Sequence, residues 1–239
     1  MKIRLLFYRA VMALVALSLT SRSGWATVAD LLRAQGYYEG KVFRKGGADA
    51  DFIKVEINGH PFTLLIDTGA GATVIARKAA QKAGLLTGRD LGAVNGANGE
   101  ADAHSEMAQI TSFRIGGVEL APSPVIIATM RNQMERDGVD FDGLLGLVTL
   151  KMNHAVFGYH PAVFYFQPHG SGTMGSVDAF LLSHGFSRVS LTPRRARYLL
   201  VVSLDGTKAI MMLDSGAEHS VISEDLANRA HLLVDNIDR

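Results

Sequence analysis

Ile53, Val55 and Ile57 alternate with Lys54 and Glu56, the period of two that marks a strand with one buried face. Asn58-Gly59 follows, the pair favoured in a tight hairpin turn, and Phe62 to Ile66 forms the return strand. That strand runs into an acid: Leu64-Leu65-Ile66-Asp67-Thr68-Gly69-Ala70-Gly71-Ala72-Thr73-Val74-Ile75. A buried strand excludes an unpaired carboxylate, because desolvating the charge costs several kcal/mol or more. Asp67 therefore needs a partner or a function. Gly69 lets the backbone turn back where a side chain would clash.

The same reading predicts other elements. Val28 to Gln35 is a short helix stopped by Gly36, and Ala76 to Ala83 is a second one ending at Gly84. Val94 to Glu100, with two Asn-Gly pairs, is a hairpin tip. Ile110 to Ile115 and Val118 to Leu120 form a hairpin across Gly116-Gly117, and Pro124 to Ala128 is a further strand. Phe141-Asp142-Gly143-Leu144-Leu145-Gly146-Leu147 is apolar but carries two glycines, the mark of a strand that another backbone approaches closely. Val156-Phe157 and Val163 to Phe166 close this half, and Pro168 to Gly175 is a small-residue linker.

The second half restarts the first. Leu181-Leu182 before Gly185-Phe186 echoes Leu31-Leu32 before Gly36-Tyr37. Lys54 to Leu86 aligns without a gap onto Val201 to Leu233 at a constant offset of 147 residues. Asn58-Gly59 falls on Asp205-Gly206, Asp67 on Asp214 and Thr73 on Ser220, so the second acid stands in Leu213-Asp214-Ser215-Gly216-Ala217 before Val221-Ile222. This pattern predicts an internal duplication, and an incomplete one: counterparts of Gly96 and Gly146 would fall beyond Arg239.

Composition narrows the chemistry. Apolar residues are 48% and charged residues 20% of the 239, which suits a protein with a sizeable core. The net charge of +1 gives no preference for nucleic acid, and the absence of cysteine excludes disulfides and thiol chemistry. The eight histidines show no metal-ligand spacing, and no metal is expected. His219 and the cluster Pro193-Arg194-Arg195 with Arg197 read as solvated. Gly170 to Gly175 matches a dinucleotide fingerprint, but hairpins rather than βαβ units surround it, so no cofactor is expected.

At the N-terminus, Lys2, Arg4 and Arg9 precede the apolar run Val11 to Leu19, and Gly24-Trp25-Ala26 supplies small residues for cleavage after Ala26. The run is well short of the about 20 residues a membrane span needs. A cleaved export signal is expected, with membrane contact only through the uncleaved signal and a periplasmic or secreted mature protein.

Two carboxylates sharing a sheltered cleft cannot both ionise cheaply, so they hold one proton between them. Such a pair activates a water for attack on a peptide carbonyl and then protonates the leaving nitrogen. At Asp67-Thr68-Gly69-Ala70 with Thr73-Val74-Ile75, and at Asp142-Gly143-Leu144-Leu145-Gly146, the sequence resembles the retropepsin-like aspartic proteases of bacteria. The resemblance implies a mostly β acid-protease lobe plus an incomplete second copy, with a polypeptide substrate. It implies Asp67 and Asp214 as catalytic acids, supported by Thr68, Gly69, Ser215 and Gly216, with the hydroxyls bonding across the lobes. It makes Asp142 to Gly146 a brace behind the catalytic loop, and Gly96, Asn98 and Gly99 a flap.

The expected boundaries are 1–26 for the signal, 27–167 for the first lobe, 168–176 for the linker and 177–239 for the second lobe. Ala70 and Ala217 stand where pepsin-like enzymes usually place a hydroxyl that bonds the carboxylate. The dyad should then titrate high, and activity is expected at mildly acidic to neutral pH. The missing rear of the second half leaves three outcomes open. The first lobe forms a homodimer using Asp67 of each chain, the two halves pair within one chain, or the product is truncated and inactive. The reading of another class is a catalytically silent binding or dimerisation module.

Overall fold

Asn58 and Gly59 take φ of 51° and 81°, so a two-residue turn reverses the chain between its first long strands. The computed structural model describes residues 5–7, 13–16, 22–44, 50–95, 101–130, 135–136, 138–159, 161–170 and 173–232. Its N-terminal elements are β1 (Leu5–Phe7), β2 (Ala13–Ala16), α1 (Arg22–Ala34), β3 (Tyr38–Gly40) and β4 (Val42–Phe43). The hairpin pairs β5 (Phe52–Ile57) with β6 (His60–Asp67), and β7 (Thr73–Ala76), α2 (Arg77–Lys82), β8 (Thr87–Asn95) and β9 (Ala101–Ala108) follow.

Next come β10 (Phe113–Ile115), β11 (Val118–Glu119), β12 (Val125–Ala128), β13 (Glu135–Arg136), β14 (Val139–Asp140), β15 (Gly143–Gly146) and α3 (Leu147–Met152). β16 (Val156–Tyr159), β17 (Ala162–Phe166) and α4 (Gly175–Ser183) lead to β18 (Ser187–Val189), β19 (Thr192–Pro193), β20 (Tyr198–Leu204), β21 (Thr207–Met212) and α5 (Glu224–Arg229). The fold is mostly β.

The main sheet runs β11-β10-β5-β6-β15-β7-β12-β9-β8, with β4 beside β5. Alternation in β5 turns Ile53, Val55 and Ile57 inward and leaves Lys54 and Glu56 exposed, as the pattern predicts. These pack with Leu64, Ile66, Ile75, Ile127, Leu145, Phe157 and Phe164 in one core. The second half enters that core through Leu191 and Tyr198, with Leu200 and Leu213 packed against it. Its own sheet is β19-β20-β21, turned at Asp205 and Gly206 with φ of 45° and 83°, the geometry of Asn58-Gly59.

A second core joins α1 to α4: Val28 and Leu32 meet Val177 and Leu181, while Tyr37 and Phe186 follow Gly36 and Gly185, both at positive φ. The i, i+4 apolar pair Val177 and Leu181 carries α4 back to Gly175. The expected linker is therefore shorter than 168–176. A six-stranded sheet, β18-β1-β2-β16-β17-β3, completes the described elements, and α1 begins ahead of Ala26.

Two more elements depart from the sequence reading. α3 follows β15 without a break, although no helix signal stands there. Val221-Ile222 forms no strand, and Val221 is 81% exposed. β7, its counterpart by sequence, is held by β12 on one side and β15 on the other. Among the described residues, 220–223 has neither partner, and a strand without a ladder leaves its backbone groups to water.

Candidate active site

Asp67 ends β6 because the glycines after it free the backbone to fold over the carboxylate. Its Oδ1 accepts hydrogen bonds from the backbone N–H of Gly69 at 2.8 Å and of Ala70 at 2.9 Å. Asp214 follows β21 in the same way, its Oδ1 accepting from Gly216 N at 2.9 Å. The loops face each other closely. A methyl built on Gly69 would stand 2.4 Å from Asp214 Oδ2, and one on Gly216 would stand 2.7 Å from Asp67 Cγ. Glycine is required at both positions by the acid opposite.

Four hydrogen bonds lock the loops in a reciprocal pattern. Thr68 N donates to Ser215 Oγ and Ser215 N to Thr68 Oγ1, each at 2.9 Å. The hydroxyls pass their own protons onward, Thr68 Oγ1 to Leu213 O at 2.9 Å and Ser215 Oγ to Ile66 O at 2.8 Å. Both residues are buried, so every one of these groups would be costly to leave unpaired. The cross-lobe tie expected of Thr68 and Ser215 is present, and both acids belong to one chain.

Behind the first loop runs β15, parallel to β6, with Gly146 opposite Asp67. Leu147 N donates to Ala70 O at 2.8 Å, Val148 N to Gly71 O at 3.1 Å and Gly146 N to Thr73 Oγ1 at 3.1 Å. Asp142 anchors the entry to β15: its Oδ2 accepts from Thr63 N at 2.8 Å and its N donates to Thr63 O at 2.7 Å. A Cβ on Gly143 would lie 2.0 Å from Val74 O, and one on Gly146 would lie 2.1 Å from Ala72 O. The two glycines are there because backbone passes backbone. Leu144 is half-buried and Leu145 belongs to the main core. The candidate flap residues Gly96, Asn98 and Gly99 lie outside the described residues; β8 and β9 pair up to Asn95 and Ala101 on either side of them.

Burial, and then the negative charge of Asp214, push the Asp67 carboxyl up to about 6, against the pull of the Ala70 and Gly69 amides. The direction agrees with the high titration expected from the sequence, and burial contributes most. Desolvation and the opposed carboxylate raise it, and the Gly69 and Ala70 amides pull the other way.

Two residues at the site carried no signal in the sequence. The Tyr159 phenol lies beside the dyad, and burial raises its pKa, keeping it neutral. Arg136, on the small hairpin of β13 and β14, donates from Nη1 to Gly216 O and pairs through Nε with Glu218 Oε1 at 3.4 Å. Neither lies in an apolar pattern or motif; only the return of the chain brings them in. Among the described residues, no group of His, Asp and Glu could hold a metal. His219 and the Arg194, Arg195 and Arg197 turn are exposed.

Residues 53–149 match the family model for aspartyl proteases, a span that contains Asp67 and Asp142 to Gly146 and ends before Asp214. Among solved structures, a retropepsin-like aspartic protease from Rickettsia conorii is 20% identical, over 55% of this chain and 89% of that chain, with a TM-score of 0.37. No curated protein matches. The segment that carries Asp67 and its brace is thus similar to the aspartyl protease family.

Proposed function

We propose that the protein is an exported aspartic endopeptidase whose dyad, Asp67 and Asp214, is assembled within one chain. The observation that carries this reading is the facing of two Asp-hydroxyl-Gly loops, each glycine closing on the other loop's acid. The two carboxyls share one proton, consistent with the raised pKa of Asp67 beside Asp214. The ionised carboxylate takes a proton from water as the water oxygen bonds the peptide carbonyl carbon. The protonated carboxyl donates to the carbonyl oxygen. Collapse of the tetrahedral species breaks the C–N bond as the leaving nitrogen is protonated. Thr68 and Ser215 hold the carboxylate planes, and Gly69 and Gly216 supply the close approach.

The test is cleavage of an unfolded polypeptide by the purified protein, with and without an inhibitor of aspartic proteases. Asp67→Asn and Asp214→Asn should each abolish cleavage and leave the circular dichroism spectrum unchanged. Among the described residues, Asp214 accepts one backbone N–H where Asp67 accepts two, and this favours a second reading, a silent binding or dimerisation module. Wild-type protein without inhibitor-sensitive cleavage would support that module instead.

The matching turns at Asn58-Gly59 and Asp205-Gly206 support descent of the two halves from one duplicated unit. Export rests on the basic and apolar residues before Ala26, and N-terminal sequencing of the secreted protein tests it. Removal of residues 1–26 would take β1 and β2 from between β18 and β16. Pairing of Asp67 with Asp214 makes a homodimer unnecessary for the dyad, and sedimentation of the active protein would detect one.

A further inference from the structure

Asp67 is held from behind by a strand, yet no such strand stands behind Asp214 among the described residues. The reciprocal lock with Thr68 holds the front of the second loop, and its rear needs a further anchor, because a misaligned carboxylate loses catalytic geometry at once. Besides the facing Thr68, the first lobe supplies a second donor to this loop: Arg136, on the β13–β14 hairpin inserted between β12 and β15.

The guanidinium makes two contacts with one short segment. Nη1 donates to the carbonyl oxygen of Gly216, two residues after Asp214, and Nε stands 3.4 Å from Glu218 Oε1. The Arg136 side chain is only 16% exposed, while that of Glu218 is 56% exposed. The arginine is therefore the sheltered, anchored partner and the loop is what it holds. Nη1 makes the hydrogen bond, and Nε faces Glu218 as an ion pair.

We infer that Arg136 is a positioning residue: it fixes the Asp214-Ser215-Gly216 turn from the first lobe, as β15 fixes the Asp67 turn. The inference rests on the proposed dyad for its catalytic consequence, but not for its structural one. It makes the second acid dependent on a polar insertion of the first lobe.

Two measurements separate these levels. Hydrogen exchange followed by mass spectrometry reads the loops without any need for activity. In Arg136→Gln, amides of 213–218 should exchange about tenfold or more faster, while those of 64–72 stay as in wild type. On the catalytic side, kcat should fall about tenfold or more with KM changed less than about threefold, and Arg136→Lys should recover part of the loss. Glu218→Gln should give a smaller change of the same kind in 213–218. Unchanged exchange at 213–218 in Arg136→Gln would overturn the inference, as would equal loss of protection in both loops. Failure of the proposed function would read differently: no cleavage by the wild type, with the exchange contrast intact.

Discussion

Thr73-Val74-Ile75 and Ser220-Val221-Ile222 carry the same pattern at the same distance after an Asp, yet the first is a strand and the second is not. β7 lies between β12 and β15, with Thr73 and Ile75 buried. Val221 stands 81% exposed. The acids preceding them follow the same division. The Asp67 loop is bonded through Ala70 and Gly71 to the start of α3, whereas the Asp214 loop is held by its facing partner and by Arg136. A local sequence specifies the turn and the position of the acid, because those depend on glycine and short-range hydrogen bonds. It does not specify a strand, because a strand is completed by residues elsewhere in the chain.

That contrast can be broken most severely at the acids. Asp67→Asn and Asp214→Asn should each lower kcat/KM by roughly 10³-fold or more, since the dyad acts as a unit; one variant retaining wild-type activity would deny that residue its role. Next in size, Gly143→Ala or Gly146→Ala forces a methyl to within about 2 Å of backbone oxygen, which the first lobe cannot absorb. A loss of about 3 kcal/mol or more is expected by chemical denaturation.

The reciprocal lock offers a more balanced comparison. Thr68→Val leaves Ser215 N–H without its acceptor and Leu213 O without its donor, and Ser215→Ala does the same to Thr68 N–H and Ile66 O. Each should cost about 1–3 kcal/mol.

The pH dependence follows from Asp67. Its folded pKa of about 6 exceeds the ordinary 3.8, so the native state binds more protons than the unfolded chain between those values. Stability should therefore fall as pH rises from about 4 to about 6, by on the order of 3 kcal/mol, and stay level above that. Asp67→Asn should remove the slope in a denaturation series across this window. The same titration places the alkaline limb of the cleavage profile near pH 6, since above it the shared proton is lost.

The smallest effect concerns the paired valines. Val74→Ala should cost about 1 kcal/mol or more, and Val221→Ala less than about 0.5 kcal/mol. Equal costs would show that 220–223 is packed in solution.

Much of this was legible in the chain itself. The hairpin of β5 and β6, the acid at its end and the glycine-rich strand behind it were readable because each rests on local rules: alternation, turn chemistry and the need of glycine where backbones touch. α3, the early start of α4 and the loss of a strand at Val221 were not, because burial against distant elements decides them.

The sequence by itself determined that two acids end two similar strands, each followed by a hydroxyl and a glycine, since neighbouring residues dictate a turn. Tertiary structure alone decided that those acids meet within one chain and that burial lifts Asp67 to about 6. It also decided that an arginine 80 residues away holds Gly216. Desolvation and through-space contacts depend on what the folded chain brings near, and no local pattern records that.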